Sequence, residues 1–274
     1  MSRSIWRIAA ASVEGTSHAT RGDACQDYHK FKSAGDTVIA AAADGAGSAS
    51  NGLDGAKMVC ASFIKNVESY FSQGGKIGQL NEDFIARWIA DIQERIARAA
   101  RKKDKEARDY SCTFLAAVVS TANAVFFQIG DGAVVYSTMD KADSYDFGIV
   151  PAESMYVNTT DFITDADASE KIKLRFLPEP AGNVGIFTDG IQALAIDYSE
   201  GAKGKPHIPF WTPMFAPFAR EADPADLTKK LEMFLASETV NRRTDDDKTL
   251  ILISRDAGRP RTAASAGERK ASTN

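Results

Sequence analysis

Four short runs of the chain are apolar on both faces, as strands sandwiched between two layers are: residues 38–43, 125–129, 184–187 and 250–253. Residues 6–13 read as a further strand near the start. Elsewhere the spacing turns helical. Ala56, Val59, Cys60, Phe63, Ile64, Val67 and Phe71 share one face of a helix over 53–71. Behind Asn81, a suitable N-cap, Phe84, Trp88, Ile92 and Ile96 recur every four residues, with Ile85 and Ile89 widening the stripe. A third helix is predicted over 224–237 on Leu227, Leu231, Phe234 and Leu235, with Pro224 in the first turn, where a missing N–H is harmless.

The β-branched and aromatic stretch 112–137 reads as a meander of strands over 113–119, 124–129 and 133–136, with Gly130-Asp131-Gly132 in one bend. Residues 15–27 are polar and read as loop, and 138–168 are irregular, with room for a surface flap, before alternation resumes over 171–177. Prolines 206, 209, 213 and 217 among Phe210, Trp211, Phe215 and Phe218 predict short helices packed on a sheet. Helices and strands come in runs rather than strict alternation, which implies an α+β layered domain over 1–255. The Ala/Ser/Arg/Gly-rich segment 256–274 lacks periodicity and is expected to be a disordered tail.

A chain of 274 residues that is 44% hydrophobic can bury a large core, and one domain is expected. The net charge of −4 comes without a dominant basic stripe, so neither nucleic acid nor a membrane surface is expected as a partner. Arg101-Lys102-Lys103, the densest basic run, ends a helical segment, where cations complement the helix dipole. Residues 1–6 carry no long apolar core and no stretch approaches the ~18 apolar residues of a membrane span, so a cytoplasmic protein is expected. Cys25, Cys60 and Cys112 have no framework spacing and read as free thiols, Cys25 as a small filler.

The candidate chemistry lies at the ends of the four apolar runs. Each abuts an acidic island: Asp44-Gly45, Gly130-Asp131-Gly132, Thr188-Asp189-Gly190 and Asp245-Asp246-Asp247-Lys248-Thr249. Taken singly, each is an ordinary turn or cap. Four of one type converge if their strands are neighbours, and mutually repelling carboxylates stay together where cations hold them. Mg²⁺ and Mn²⁺ suit such oxygen ligands. Three His and three Cys, none in a C-x-x-C or H-x-x-x-H spacing, argue against zinc.

In this order the islands resemble the type 2C family of metal-dependent Ser/Thr protein phosphatases, across residues 8–254. Asp44-Gly45-Ala46-Gly47 is similar to the family's Asp-Gly-His-Gly, Ser111-Cys112-Thr113 to Gly-Thr-Thr, and Gly130-Asp131-Gly132 to Gly-Asp-Ser. Thr188-Asp189-Gly190 and Asp246-Asp247-Lys248-Thr249 resemble Thr-Asp-Gly and Asp-Asn-x-Thr. Gly15-Thr16-Ser17-His18 with Cys25-Gln26-Asp27 looks like a bacterial subgroup in which Gln-Asp replaces Glu-Asp. The resemblance implies a four-layer αββα fold, a β-sandwich of mainly antiparallel sheets flanked by helices. It implies Mn²⁺ or Mg²⁺, two ions with room for a third, bridged by Asp44 with the Gly45 carbonyl, completed by Asp189 and Asp246, with Asp131 toward the third ion and Asp27 orienting a bound water. Hydroxide held between two ions ~3.5–4 Å apart would attack phosphorus in line, without a phosphoenzyme. The chain has no Cys-x5-Arg signature to suggest otherwise.

Three positions depart from the family pattern. Gln26 stands where a Glu normally supports the second metal, removing one negative charge. Ala46 replaces a His credited with protonating the leaving group, and the candidate substitutes are His18 and a metal-bound water. The family's phosphate-binding Arg falls at Gly22, which makes the adjacent Arg21 the candidate clamp. The expected substrate is a phosphorylated protein, with a Ser/Thr kinase as opposing partner. The alternatives are a non-catalytic regulator that binds a phosphoprotein and a hydrolase of small phosphoesters.

Overall fold

A strand that is apolar on both faces needs a layer on each side, and the computed structural model of the protein supplies both. It describes residues 5–151, 160–219 and 223–256. One antiparallel sheet runs in the order β2 (Tyr28–Ala34), β3 (Thr37–Ala43), β4 (Phe114–Val119), β5 (Ala124–Ile129) and β8 (Lys173–Leu177). The other runs β1 (Trp6–Val13), β12 (Lys248–Arg255), β9 (Ala181–Phe187), β6 (Ala133–Thr138) and β7 (Asp146–Ile149). A small ribbon pairs β10 (Ile196–Asp197) with β11 (Lys205–Pro206). The helices are α1 (Thr16–Arg21), α2 (Gly52–Ser72), α3 (Glu82–Arg101), α4 (Ala168–Lys171), α5 (Gln192–Ala195), α6 (Ile208–Phe215), α7 (Pro224–Leu235) and α8 (Glu238–Asn241).

Alternation along each strand sorts side chains into three apolar layers. Val38, Ala40 and Ala42 of β3 and Leu115 and Ala117 of β4 meet Val184 and Ile186 of β9 and Ile251 and Ile253 of β12 between the sheets. The opposite faces of β3 and β4, through Ile39, Ala41 and Phe114, pack on Phe63 and Ile64 of α2 and Trp88 and Ile92 of α3. Phe63 meets Trp88 and Phe114 edge-on, with ring centroids 5.3 and 5.1 Å apart. On the far side Phe187, Leu250 and Leu252 pack on Trp211 and Phe215 of α6 and Leu227, Leu231 and Leu235 of α7. The result is the expected four-layer αββα sandwich.

Local signals hold where they were strongest. The Asn81 side chain accepts a hydrogen bond from Phe84 N to start α3, and Asp223 accepts from Ala225 N ahead of Pro224 in α7. Two short elements stand in stretches read as loop or irregular, α1 and β7, and a third, β2, stands where no strand was expected. The strands β2 and β7 lie on sheet edges and most of β2 faces solvent, so they lack the two-sided apolar signature.

The meander also needs correcting. β4 and β5 form the expected hairpin, but β6 leaves for the other sheet, so Gly130-Asp131-Gly132 is a crossover and not a hairpin bend. Both glycines adopt φ in the left-handed region, 86° and 83°, which lets the chain turn this corner. The buried Gln128 amide donates to the Gly130 and Gly132 carbonyls at 3.1 and 3.2 Å and pins the turn. The expected tail lies, from residue 257 onward, outside the described residues, as do residues 152–159 of the expected flap.

Candidate metal centre

Strand register explains why the acidic islands meet. Tyr28 pairs with Ala43, so Asp27 and Asp44 leave the same end of the β2–β3 hairpin. Ala133 and Leu250 both pair with Phe187, which brings the Asp131 crossover, Asp189 and the 245–249 run to one end of the second sheet. The two ends face each other across the sandwich. One carboxylate oxygen from each of Asp44, Asp131 and Asp189 lies within 4.8 Å of the others.

Each of these carboxylates is held. Thr113 clamps the backbone of Asp44 from both sides, its Oγ1 accepting from Asp44 N at 2.9 Å and its N donating to Asp44 O at 2.8 Å. An isolated bridge joins Gly45 to Cys112, and Gly45 N donates to Gln26 O at 3.2 Å. A Cβ on Gly45 would stand 2.6 Å from the Gly52 carbonyl carbon, so the loop closes on the start of α2 only with glycine there. Thr160 donates to Asp131 Oδ2 at 3.0 Å. Buried Thr188 donates to Asp27 Oδ2 at 2.7 Å and accepts from Thr249 N at 3.0 Å, joining the two sheets beside the cluster.

Such a cluster is electrostatically costly without cations. Burial, and then the charges of Asp27, Asp189 and Asp246, hold the Asp44 carboxyl well above the usual carboxylate range. Burial pushes Asp189 up to about 7, with Asp131 and Asp246 adding to it, and pushes Asp27 up to about 7 against the Thr188 hydrogen bond. Asp131 is raised as well, first by burial. Asp246 borders the group, its Oδ1 accepting from Asp247 N at 2.8 Å. Asp27 Oδ1 and Gln26 Oε1 are buried with no hydrogen-bond partner among the described residues. Oxygen-only donors, mutual repulsion and orphaned acceptors together fit hard divalent cations.

The hydrogen bonds of the other two candidates run to acids outside the three-carboxylate group. Arg21 ends α1 in solvent and bonds Asp23 Oδ2 at 2.9 Å. His18 is buried and donates from Nδ1 to Asp247 Oδ2 at 2.7 Å, so its visible work is to anchor α1. Burial and then the neighbouring Asp27 charge push the Cys25 thiol up, which disfavours its thiolate.

Asp247, to which the motif gives no role of its own, proves central. It is buried and also accepts from Gly15 N at 2.7 Å and Gln26 N at 2.6 Å, tying the start of β12 to the segment that carries Asp27. The neighbouring Lys248 is buried too, its Nζ donating to Glu14 O at 3.3 Å and Asn241 Oδ1 at 3.0 Å. A third acid in the run 245–247, beyond what turn or ligand needs, was the available signal.

A family model described as protein phosphatase 2C matches residues 14–236. Among curated proteins, serine/threonine-protein phosphatase 3 of Escherichia coli strain K12 is 37% identical over 257 residues, covering 90% of this chain and 97% of that protein. Among solved structures, serine/threonine phosphatase Stp1 from Staphylococcus aureus aligns with a TM-score of 0.59 at 17% identity, over 93% of this chain and 98% of that one. The S. agalactiae serine/threonine phosphatase aligns with a TM-score of 0.55 at 15% identity, over 91% and 99%. At those identities the structural likeness speaks for the fold.

Proposed function

Since the chain belongs to the protein phosphatase 2C family and is a metal-dependent serine/threonine protein phosphatase, we propose that Asp44, Asp131, Asp189 and Asp246, with the Gly45 carbonyl, hold its ions. The observation that carries this reading is the approach of three carboxylates within 4.8 Å at the strand ends. Mn²⁺ or Mg²⁺, two ions with a weaker third, suits this donor set. Ions held by these residues would lower the pKa of a bound water and offset the charge of the phosphoryl oxygens.

The chain's own residues do the rest. Asp27, fixed through Oδ2 by Thr188, presents Oδ1 as the acceptor that orients the attacking water. Ala46 offers no proton donor at the leaving alkoxide, so that proton comes from solvent or from His18 Nε2, whose ring Asp247 orients through Nδ1. Arg21 would need to exchange Asp23 for phosphate to serve as a clamp, and we assign it that role only with substrate bound. The substrate is a phosphorylated protein, a Ser/Thr kinase is its counterpart, and the cytoplasm is its place of action. Among the described residues no helix is long and apolar enough to cross a membrane. The catalytic domain comprises residues 1–255.

Equilibrium Mn²⁺ binding followed by electron paramagnetic resonance tests the ligand set. Asp44→Asn and Asp189→Asn should abolish tight binding and Asp131→Asn should remove the weakest class alone. Unchanged binding in Asp44→Asn and Asp189→Asn would refute the assignment.

A further inference from the structure

We propose that a basic groove between α2 and α3 binds an acidic segment of the phosphoprotein substrate and so selects among phosphosites. The inference rests on the phosphatase reading above. The groove measures about 660 Å³ and is lined by Met58 of α2 and by Arg95, Arg98, Ala99, Arg101 and Lys102 at the end of α3. Its four cations are exposed. Their compensation among the described residues is slight. Arg98 reaches Glu94 at 3.8 Å on an exposed face, Arg95 donates to Ser62 Oγ at 3.0 Å, and no hydrogen bond or ion pair ties the side chain of Arg101 or Lys102. In a chain of net charge −4, this concentration of positive charge over an apolar floor is a local exception.

Position adds to charge. The start of α2 lies against the Asp44-Gly45 loop, since a Cβ on Gly52 would approach Gly45 Cα at 3.0 Å. The chain just after α3 returns to the same place: Lys103 Nζ donates to Asp54 Oδ2 at 2.8 Å, and Asn51 N donates to Asp109 O at 2.7 Å. Met58 stands six residues beyond Gly52, ~9 Å along the helix axis. A peptide with its phosphoresidue at the carboxylate cluster would therefore reach the groove with residues about four to six positions away. The cations at the helix end complement the helix dipole, yet this needs only the last turn and leaves Arg95 and the apolar floor unexplained. Arginine forks suit carboxylates and phosphates alike. An extended nucleic acid would need a longer basic track than one groove.

The test compares kcat and KM for two phosphothreonine peptides, one with Asp/Glu at those positions and one with Ser/Ala, together with p-nitrophenyl phosphate. The enzymes are the wild type and the surface variant Arg98→Ala, Arg101→Glu, Lys102→Glu. The proposal expects the wild type to favour the acidic peptide through KM, the variant to lose roughly tenfold on that peptide alone, and salt to erode the preference. Unchanged turnover of p-nitrophenyl phosphate and of the neutral peptide reports intact folding and chemistry. Equal KM for both peptides in the wild type would overturn the groove's role, as would an unchanged preference in the variant or tighter binding of single-stranded RNA than of the acidic peptide. Absence of turnover with every substrate would instead overturn the phosphatase reading, and fluorescence binding of the two peptides then decides the groove by itself.

Discussion

Replacing Asp189 with Asn should stabilise the metal-free protein while destroying its response to metal. The carboxyl of Asp189 is raised from 3.8 to about 7 in the folded chain, chiefly by burial and then by Asp131 and Asp246. A carboxyl whose folded pKa lies above its unfolded value binds more protons in the native state. Its contribution is neutral below pH 3.8 and becomes increasingly unfavourable up to about pH 7, where the difference has grown to ~4 kcal/mol. Relaxation and sharing of protons with Asp44 and Asp27 reduce what a single substitution recovers, so ~1–3 kcal/mol is the expected gain at pH 7. The assay is urea unfolding in chelator at pH 5 and pH 7, repeated with Mn²⁺. The wild type in chelator should be less stable at pH 7 than at pH 5, and the Asp189→Asn variant should flatten that slope, whereas Mn²⁺ should stabilise the wild type and leave the variant unmoved. A variant less stable than the wild type in chelator at pH 7 would refute the electrostatic account of the cluster.

Asp247→Ala removes the acceptor of Gly15 N, His18 Nδ1 and Gln26 N and should cost ~3–5 kcal/mol, read by thermal or urea unfolding; a loss under ~1 kcal/mol would show that the segment is anchored otherwise. Gln26→Glu restores a charge beside the cluster and should tighten Mn²⁺ binding about tenfold by calorimetry, with a less stable metal-free protein; unaltered affinity would place residue 26 outside the metal's reach. Burial lowers the His29 pKa from 6.5 to about 4, so the protein should lose up to ~3 kcal/mol as pH falls through that window, and His29→Gln should reduce this loss in urea unfolding. An identical acid profile in the variant would contradict it.

The parts of the fold written in two-sided apolar runs were legible, because a buried strand or a helix face repeats its signal over several turns or pleats. β3, β4, β9, β12, α2 and α3 belong to this class. β2 was not legible: its partner is β3 alone, its side chains largely meet solvent, and nothing in Lys30, Phe31 or Lys32 demands a strand. The Gly130–Gly132 crossover reads as a hairpin because a hairpin and a sheet change ask the same of the local sequence, and only the pairing of β6 with β9 distinguishes them. At the site, Asp44, Asp131 and Asp189 each followed an apolar run, so position exposed them. Asp247 and Thr188 were hidden because their work is hydrogen bonding across more than a hundred residues of chain or between sheets, a long-range relation that spacing does not encode. For Arg21 and His18 the motif alignment supplied nearness in sequence, while the exposed end of α1 and the Asp247 anchor decided where the side chains went.

The most direct test of the account is phosphate release from a phosphothreonine peptide by the purified chain with Mn²⁺, with Mg²⁺ and with chelator, alongside Asp44→Asn. Turnover that requires a divalent ion, and that falls by at least about a thousandfold in Asp44→Asn while the variant stays folded, is the predicted result. Turnover that persists in chelator, or that survives the loss of the Asp44 carboxylate, would contradict it.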